Sequence, residues 1–359
     1  MASIALFLAA SYAVLAVVLA RHADARTARP PRSDFTPTIS VLVAARNEAE
    51  RLGACLEALR QQSYPPDHIE IIVADDHSTD GTADVARRHG VHCVRLRSEE
   101  PTGKAAALHA AFEISRGSVL LVTDADCRPP RDWARNLTAQ FDTPRAGIVC
   151  GVTSIRDGGL LARLQAFDWA LLLTVAAGLS AIGKPLTAMG NNMAIRREAY
   201  LAVGGYPALP DSVTEDYALF RAVAHRTSFD VELLLDAALE NRTEPLSRLR
   251  DVVAQRRRWA LGGLRSGPGG YLFYLFVWCV HAAIVAGLIA APPAGLLALG
   301  IKTAADARIL YEAGRNVRLN RAWAALPAFE AYLFAYVLLM PLSLLARPST
   351  SWRGRTYTR

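Results

Sequence analysis

Two carboxylates separated by one small residue, Asp124-Ala125-Asp126, close the apolar run Ser118 to Thr123 and are well suited to holding a divalent cation. Alternate residues of a strand point to opposite sides, but once the chain turns, carboxylates two apart converge on one ion. Mg²⁺ or Mn²⁺ held by so few protein oxygens completes its shell with water and phosphate oxygens. Two more polar tips come after apolar runs: Arg46-Asn47-Glu48 after Thr38 to Ala45, and Asp75-Asp76-His77-Ser78-Thr79-Asp80 after Ile69 to Ala74. Asp80 reads as the cap of the helix starting near Thr82, whereas Asp75 and Asp76 come too early for that role. Together the tips suit a ligand rich in hydroxyls and amides, with a divalent cation. No GxGxxG or P-loop string comes after any of them, which weighs against a dinucleotide dehydrogenase and a P-loop NTPase.

A repeated strand–helix pattern must position these tips. Thr38 to Ala45 reads as a buried strand, Glu48 to Gln62 as a helix, Ile69 to Ala74 as a strand and Thr82 to His89 as a helix. A strand at Val91 to Leu96, a helix at Lys104 to Ile114 and a strand at Ser118 to Thr123 continue the series. Such alternation predicts a parallel α/β sheet, whose ligands sit at the carboxyl ends of the strands. The stretch from Pro37 to about Arg265 (37–265) is expected to form this domain.

The rest of the sequence points to lipid. With 359 residues, 52% of them hydrophobic and 20% charged, the chain suits one principal domain with appendages. Residues 1–20 read as a transmembrane anchor and 21–36 as a basic linker. Arg21, Arg26, Arg29 and Arg32 place the chain beyond the anchor in the cytosol, the N-terminus lying outside. Residues 266–346 hold two further apolar stretches, Ser266 to Ile301, interrupted by Pro292-Pro293, and Ala322 to Ala346, whose only charge is Glu330. Three or four spans are therefore expected, with a basic tail over 347–359. Leu160 to Gly183 is apolar but carries Arg163, Gln165 and Asp168, and reads as an interfacial helix. His281 reads as a neutral packed side chain. The five cysteines form no CxxC pair, and the net charge of +7 does not by itself choose among membrane, nucleotide and nucleic acid.

The motifs taken in order resemble the inverting family 2 glycosyltransferases of GT-A fold, in particular the membrane-bound branch that includes ceramide glucosyltransferase, hyaluronan synthase and cellulose synthase. The resemblance rests on VLVAARNE (Val41 to Glu48), ADDHSTDGT (Ala74 to Thr82), GKAAAL (Gly103 to Leu108), TDADC (Thr123 to Cys127), GNNMAIRR (Gly190 to Arg197), TED (Thr214 to Asp216) and QRRRW (Gln255 to Trp259). It implies an α/β nucleotide-sugar-binding domain with transmembrane helices at both ends. It also implies that Asp76 bonds the uracil, that Asp75 and Glu48 support the nucleoside pocket, that Lys104 lies near the phosphates, and that Asp124 and Asp126 hold Mg²⁺ or Mn²⁺. Asp216 would be the catalytic base, with Glu215 beside it and Thr214 capping the next helix. Gly190, Asn191 and Asn192 would line the acceptor side.

On a helix, Gln255, Arg258 and Trp259 share one face. Arg258 is suited to diphosphate oxygens and Trp259 to an acceptor sugar or lipid head. Arg256 and Arg257 point elsewhere and read as lipid-headgroup anchors. The function implied is transfer of a sugar from a UDP-sugar donor to a membrane lipid acceptor at a bacterial inner membrane, with no nucleic acid and no obligate protein partner. A processive polysaccharide synthase shares TED and QxxRW, but three or four spans are few to enclose a channel. A polyprenyl-phosphate glycosyltransferase would share the DAD motif without QxxRW, and an inert scaffold would have shed carboxylates that are all present here. The tail Trp352 to Tyr357 resembles endings of some membrane glycosyltransferases.

Overall fold

The computed structural model describes residues 1–359 except 98, 100, 211, 213, 265–267, 318, 320–322, 347, 348, 353, 354 and 359. The expected domain boundary at Arg265, and Arg353 and Gly354 of the tail, lie outside the described residues. The strands are β1 (Ile39–Ala45), β2 (Ile69–Asp75), β3 (His92–Arg95), β4 (Val119–Asp124), β5 (Ala146–Cys150), β6 (Thr153–Ile155), β7 (Asn192–Arg196), β8 (Asp230–Leu233), β9 (Asn241–Thr243), β10 (Ser349–Trp352) and β11 (Arg355–Thr358). The α-helices are α1 (Ala2–Asp24), α2 (Ala49–Arg60), α3 (Thr82–Arg88), α4 (Lys104–Ile114), α5 (Trp133–Ala139), α6 (Leu160–Ala181), α7 (Arg197–Ala202), α8 (Glu215–Arg226), α9 (Leu249–Leu264), α10 (Pro268–Ala290), α11 (Pro292–Asn316) and α12 (Leu326–Ala346).

The chain divides into an α/β unit, Thr27–Ser154 with Thr187–Glu244, and a helical unit, Met1–Arg26 with Ile155–Leu186 and Pro245–Arg359. The interfacial segment and the QRRRW helix, both expected inside the 37–265 domain, thus belong to the helical unit. Their apolar faces have no counterpart in the alternating strand pattern and find partners among other long helices.

In the α/β unit seven strands run in the order β3-β2-β1-β4-β7-β5-β8. Strands β1 to β4 are mutually parallel where they pair, as expected for apolar runs covered on both faces. The expectation of a wholly parallel sheet is corrected by β7, which lies antiparallel to both β4 and β5. It comes after a long excursion through α6 and enters the sheet from the end where β4 finishes, Asn192 pairing with Thr123. The register also aligns Ala45 with Asp75 and Ala44 with Asp124, so the polar tips emerge on one edge. Beneath them, Leu52, Cys55, Leu56 and Leu59 of α2 pack on Val41, Val43 and Leu121 in the main core. Gly81, not Asp80, is the N-cap of α3, but Asp80 Oδ1, one residue earlier, accepts the Thr82 N–H at 3.0 Å.

In the helical unit, α1, α6, α10 and the stretch Trp323–Leu345 are long and apolar enough to cross a membrane. By length and composition α6, read in the sequence as an interfacial helix, is among them. Asp168, the charge that interrupts the run, stands 2.5 Å from Arg256 of α9, each side chain 1% exposed. Gly178 lets α6 close on α1, since a Cβ there would meet the Leu19 carbonyl oxygen at 2.3 Å. Pro292 and Pro293 open α11 in its first turn, where their missing N–H groups cost no helical bond, so the Pro pair separates two helices.

Charge is buried among these helices as well. Lys302 Nζ lies 2.6 Å from Asp306 and 2.5 Å from Glu330 of α12, and the Tyr12 hydroxyl of α1 donates to Asp306 at 2.5 Å. His281 is packed as expected, its Nδ1 2.8 Å from the Val277 carbonyl oxygen and its ring edge-on to Phe334. Removing one partner of a buried ionic group strands the others, at a cost of about 3–5 kcal/mol, whereas replacing the whole group by apolar residues is often neutral. Lys302→Met should therefore lower the stability of the detergent-solubilised protein by about that amount. Adding Asp306→Leu and Glu330→Leu should restore most of it, both read by chemical unfolding followed with circular dichroism. A single variant as stable as the wild type would show that the three charges do not depend on one another.

Candidate active site

The carboxyl edge of the sheet is built around the ammonium of Lys104, the first residue of α4. Its Nζ stands 2.6 Å from Asp124 Oδ1 at the end of β4, 3.5 Å from Glu215 Oε1 at the start of α8, and 3.3 Å from the Gly190 carbonyl oxygen just before β7. Lys104 and Glu215 are each 14% exposed. Burial alone would push the Lys104 pKa down, but Asp124, Glu215 and Asp216 outweigh it and hold the amine charged, well above its ordinary value.

Asp216 is fixed by the backbone. Its Oδ2 accepts the Gly190 N–H at 2.7 Å and its Oδ1 the Tyr217 N–H at 2.8 Å. Gly190 is required at this point, because a Cβ would come within 2.7 Å of the Asp216 carboxylate. The expected cap by the Thr214 side chain is not made, and it is the Asp216 carboxylate that takes up an amide of the first turn of α8. Burial pushes both acids up, Glu215 to about 7 against the pull of Lys104, and Asp216 in the same direction, opposed first by Lys104 and then by its two backbone donors.

β4 ends at Asp124, and Asp126 follows in the turn after it. Among the described residues no group of three or more His, Cys, Asp or Glu is arranged to hold a metal ion. A cation held by this pair would have to draw its other ligands from phosphate and water. Asp124, Glu215 and Asp216 act on the ammonium of Lys104, so the acids outnumber it.

At the β2 tip, Asp76 Oδ2 accepts the Gly103 N–H at 3.0 Å and faces Arg46 at 3.5 Å, while Oδ1 meets His77 Nδ1 at 3.0 Å. Asp75 is buried, its Oδ1 accepting the Ser78 N–H at 3.0 Å and its Oδ2 lying 3.4 Å from Arg95. Glu48 is buried beside α2, and its N–H donates to Thr82 Oγ1 at 2.9 Å. Asn47 and His77 hold left-handed backbone, with φ of 54° and 56°, a conformation that costs a non-glycine residue energy and clusters at ligand sites. Arg46 and His77, which bracket Asp76, escape a reading of residue types alone; their one signal in the sequence is proximity to the acidic tip.

Asn191 and Asn192 separate in role. The Asn191 side chain accepts from Thr153 at 2.9 Å. Asn192 is fully buried, its Oδ1 accepting from Trp133 Nε1 and its Nδ2 donating to the Val152 and Leu239 carbonyls. Its expected place on the acceptor side is corrected accordingly: every polar atom of the side chain is spent on the scaffold. Gln255, Arg258 and Trp259 belong to the helical unit, on α9, where Trp259 meets Trp169 with ring centroids 5.2 Å apart. Arg256 is not the expected headgroup anchor but a buried partner of Asp168.

Residues 40–204 match a family model described as glycosyl transferase family 2. Over 250 residues the chain is 28% identical to a beta-monoglucosyldiacylglycerol synthase of Nostoc sp., a match covering 67% of this chain and 51% of that protein. A shorter match, 39% identical over 97 residues, is to a 4,4'-diaponeurosporenoate glycosyltransferase of Staphylococcus haemolyticus, with 26% of this chain and 25% of that one covered. The chain thus spans about half the length, or less, of these curated relatives. Among solved structures, a mannosyltransferase of Pyrobaculum calidifontis in complex with GDP-Man and Mn²⁺ superposes with a TM-score of 0.65 at 22% identity, covering 96% of this chain and 98% of that one. The motif-bearing segment from residue 40 to 204 is thus a family 2 glycosyltransferase domain, and the solved structure shares its fold.

Proposed function

We propose that this protein transfers a sugar from a UDP-sugar to a lipid acceptor in the membrane, by a single displacement that inverts the anomeric carbon. The observation that carries this reading is the Lys104 cluster, in which a carboxylate clamped by two backbone amides stands beside a charged lysine and the DAD pair. Each Asp216 oxygen uses one lone pair on the backbone and keeps another, so Asp216 can accept the proton of an attacking hydroxyl without losing its orientation. Lys104 offsets the repulsion among the acids and offers positive charge to the diphosphate. Asp76, Asp75 and Glu48 shape the nucleoside side, Gly190 and Asn191 the acceptor side, and Gln255, Arg258 and Trp259 are assigned to diphosphate and acceptor on the strength of their motif. Asp124 and Asp126 would hold a Mg²⁺ or Mn²⁺ ion, which when bound would offset negative charge on the departing diphosphate. A lipid acceptor is supported by the four apolar helices and by a relative named for glucosyldiacylglycerol synthesis. The arginines after Ala20 support a cytosolic site.

Asp216→Asn keeps shape and hydrogen bonding but cannot take a proton near neutral pH. Turnover should fall at least about 10²-fold while UDP-sugar affinity changes little. Near-normal turnover would remove Asp216 from the role and make Glu215 the next residue to test. Asp126→Ala should abolish Mn²⁺-dependent UDP binding in calorimetry, and unchanged affinity would sink the metal assignment.

The raised pKa of Glu215 sets a pH dependence of stability. A carboxyl lifted from 4.5 to about 7 on folding favours the native state below pH 4.5, and that contribution drains away as pH rises to about 7. The metal-free protein should therefore melt at lower temperature at pH 8 than at pH 5. Glu215→Gln should flatten the difference, and an identical pH slope in the variant would place the titrating group elsewhere.

A further inference from the structure

At the tip of β2 the ring of His77 sits between two acceptors. Its Nδ1 is 3.0 Å from Asp76 Oδ1, and its Nε2 is 2.7 Å from the carbonyl oxygen of Arg97, beyond β3. A neutral imidazole carries one N–H and one lone pair, so it can donate to only one of these partners. Serving both takes a proton on each nitrogen, which makes the ring an imidazolium. A proton on Asp76 instead is opposed by Arg46, 3.5 Å from Oδ2, and by the Gly103 N–H, which donates to the same oxygen at 3.0 Å. The bonds to Asp76 and to the Arg97 carbonyl raise the imidazole pKa above its ordinary 6.5, against partial burial and the positive charge of Arg46 at the β1 tip.

The backbone at this point does not favour histidine. Its φ of 56° is left-handed, which glycine or asparagine adopts more readily. What the ring gains there is a charged hold on its neighbour. Asp76 is gripped by His77 on Oδ1 and by Gly103 and Arg46 on Oδ2. A carboxylate oxygen that accepts one bond keeps a second lone pair, so Oδ1 can accept once more. Neither side chain is sealed, since 21% of His77 and 5% of Asp76 stay exposed.

We infer that His77 is a positioning residue for the donor, holding the Asp76 carboxylate ionised and fixed so that the remaining lone pair of Oδ1 meets the ring N–H of a uracil-type base. The inference rests on the UDP-sugar reading above and deepens it. Where uracil presents that N–H, cytosine presents a lone pair, so an ionised Asp76 attracts the first base and repels the second. When rising pH takes one proton from the imidazolium, one of its two bonds is lost and Asp76 is held less firmly. The preference for uracil should then weaken.

The test uses the full chain in detergent micelles with Mg²⁺ and measures UDP and CDP affinity by calorimetry from pH 6 to pH 8.5. The two probes share their phosphates, so the ratio of their affinities cancels any titration of the diphosphate or its cation. In the wild type the ratio should favour UDP most at pH 6 and fall as pH rises. His77→Ala should lower it about two- to tenfold at pH 6, the worth of one hydrogen bond, and leave it level with pH. His77→Asn suits left-handed backbone and still offers Asp76 an N–H that does not titrate. Its ratio should also be level, but higher than that of His77→Ala. A purely structural role would lower the Tm of the variants and weaken UDP and CDP alike, leaving the ratio at its wild-type value. A wild-type ratio that does not change with pH overturns the inference. If the wild type prefers UDP but His77→Ala keeps the same ratio and pH profile, the UDP reading stands and the role of His77 fails. If the wild type binds CDP as tightly as UDP, the UDP reading fails and takes this inference with it. If the ratios behave as expected but no sugar reaches a lipid, the role of His77 stands and the proposed function fails.

Discussion

The carboxyl edge of the sheet depends on one buried ammonium. Asp124 arrives from β4, while Glu215 and Asp216 arrive from the first turn of α8. Without an internal cation, carboxylates from separate parts of the chain would repel one another in a poorly solvated space. Lys104 stands within reach of Asp124 and Glu215 and is tied to the Gly190 carbonyl, whose own N–H anchors Asp216. The dependence runs both ways, since a lysine so buried keeps its proton only because the acids surround it. One positive charge is still too few for Asp124, Glu215 and Asp216. The edge is left acidic, and on the proposed reading a diphosphate would approach it together with a cation.

What was legible in the sequence is what short-range patterning encodes. Apolar runs of strand length and the polar residues ending them located β1 to β4 to within a residue or two, and strand register then brought their tips to one edge. The direction of β7 was not legible, because GNNMAIRR carries no mark of which end of the sheet its chain enters. Nor was the difference between Asn191 and Asn192, two residues of one type side by side. Pairing opposite Thr123 turns Asn192 into the scaffold toward Trp133, and no local pattern contains that fact.

The same limit explains Asp168 and Arg256. Each alone has the look of an interruption, one in an apolar helix and the other in a basic run, and each reading treats the charge as seeking water or headgroups. Paired across α6 and α9 they cancel, so the charge within α6 need not reach water or headgroups. Sequence reading assigns charges one at a time, whereas the penalty for burying them is set by pairs.

Two electrostatic regimes result, each within its own unit. The sheet edge carries surplus negative charge around a lysine, which suits a ligand that arrives with phosphate and a cation. The α6–α9 cluster and the Lys302 group place opposite charges in contact among apolar helices, where an unpaired ion would be far more costly than at a water-facing edge. Lys302 completes its pairing with acids of α11 and α12, drawing in α1 through Tyr12, and this is what a charge kept for holding helices together looks like.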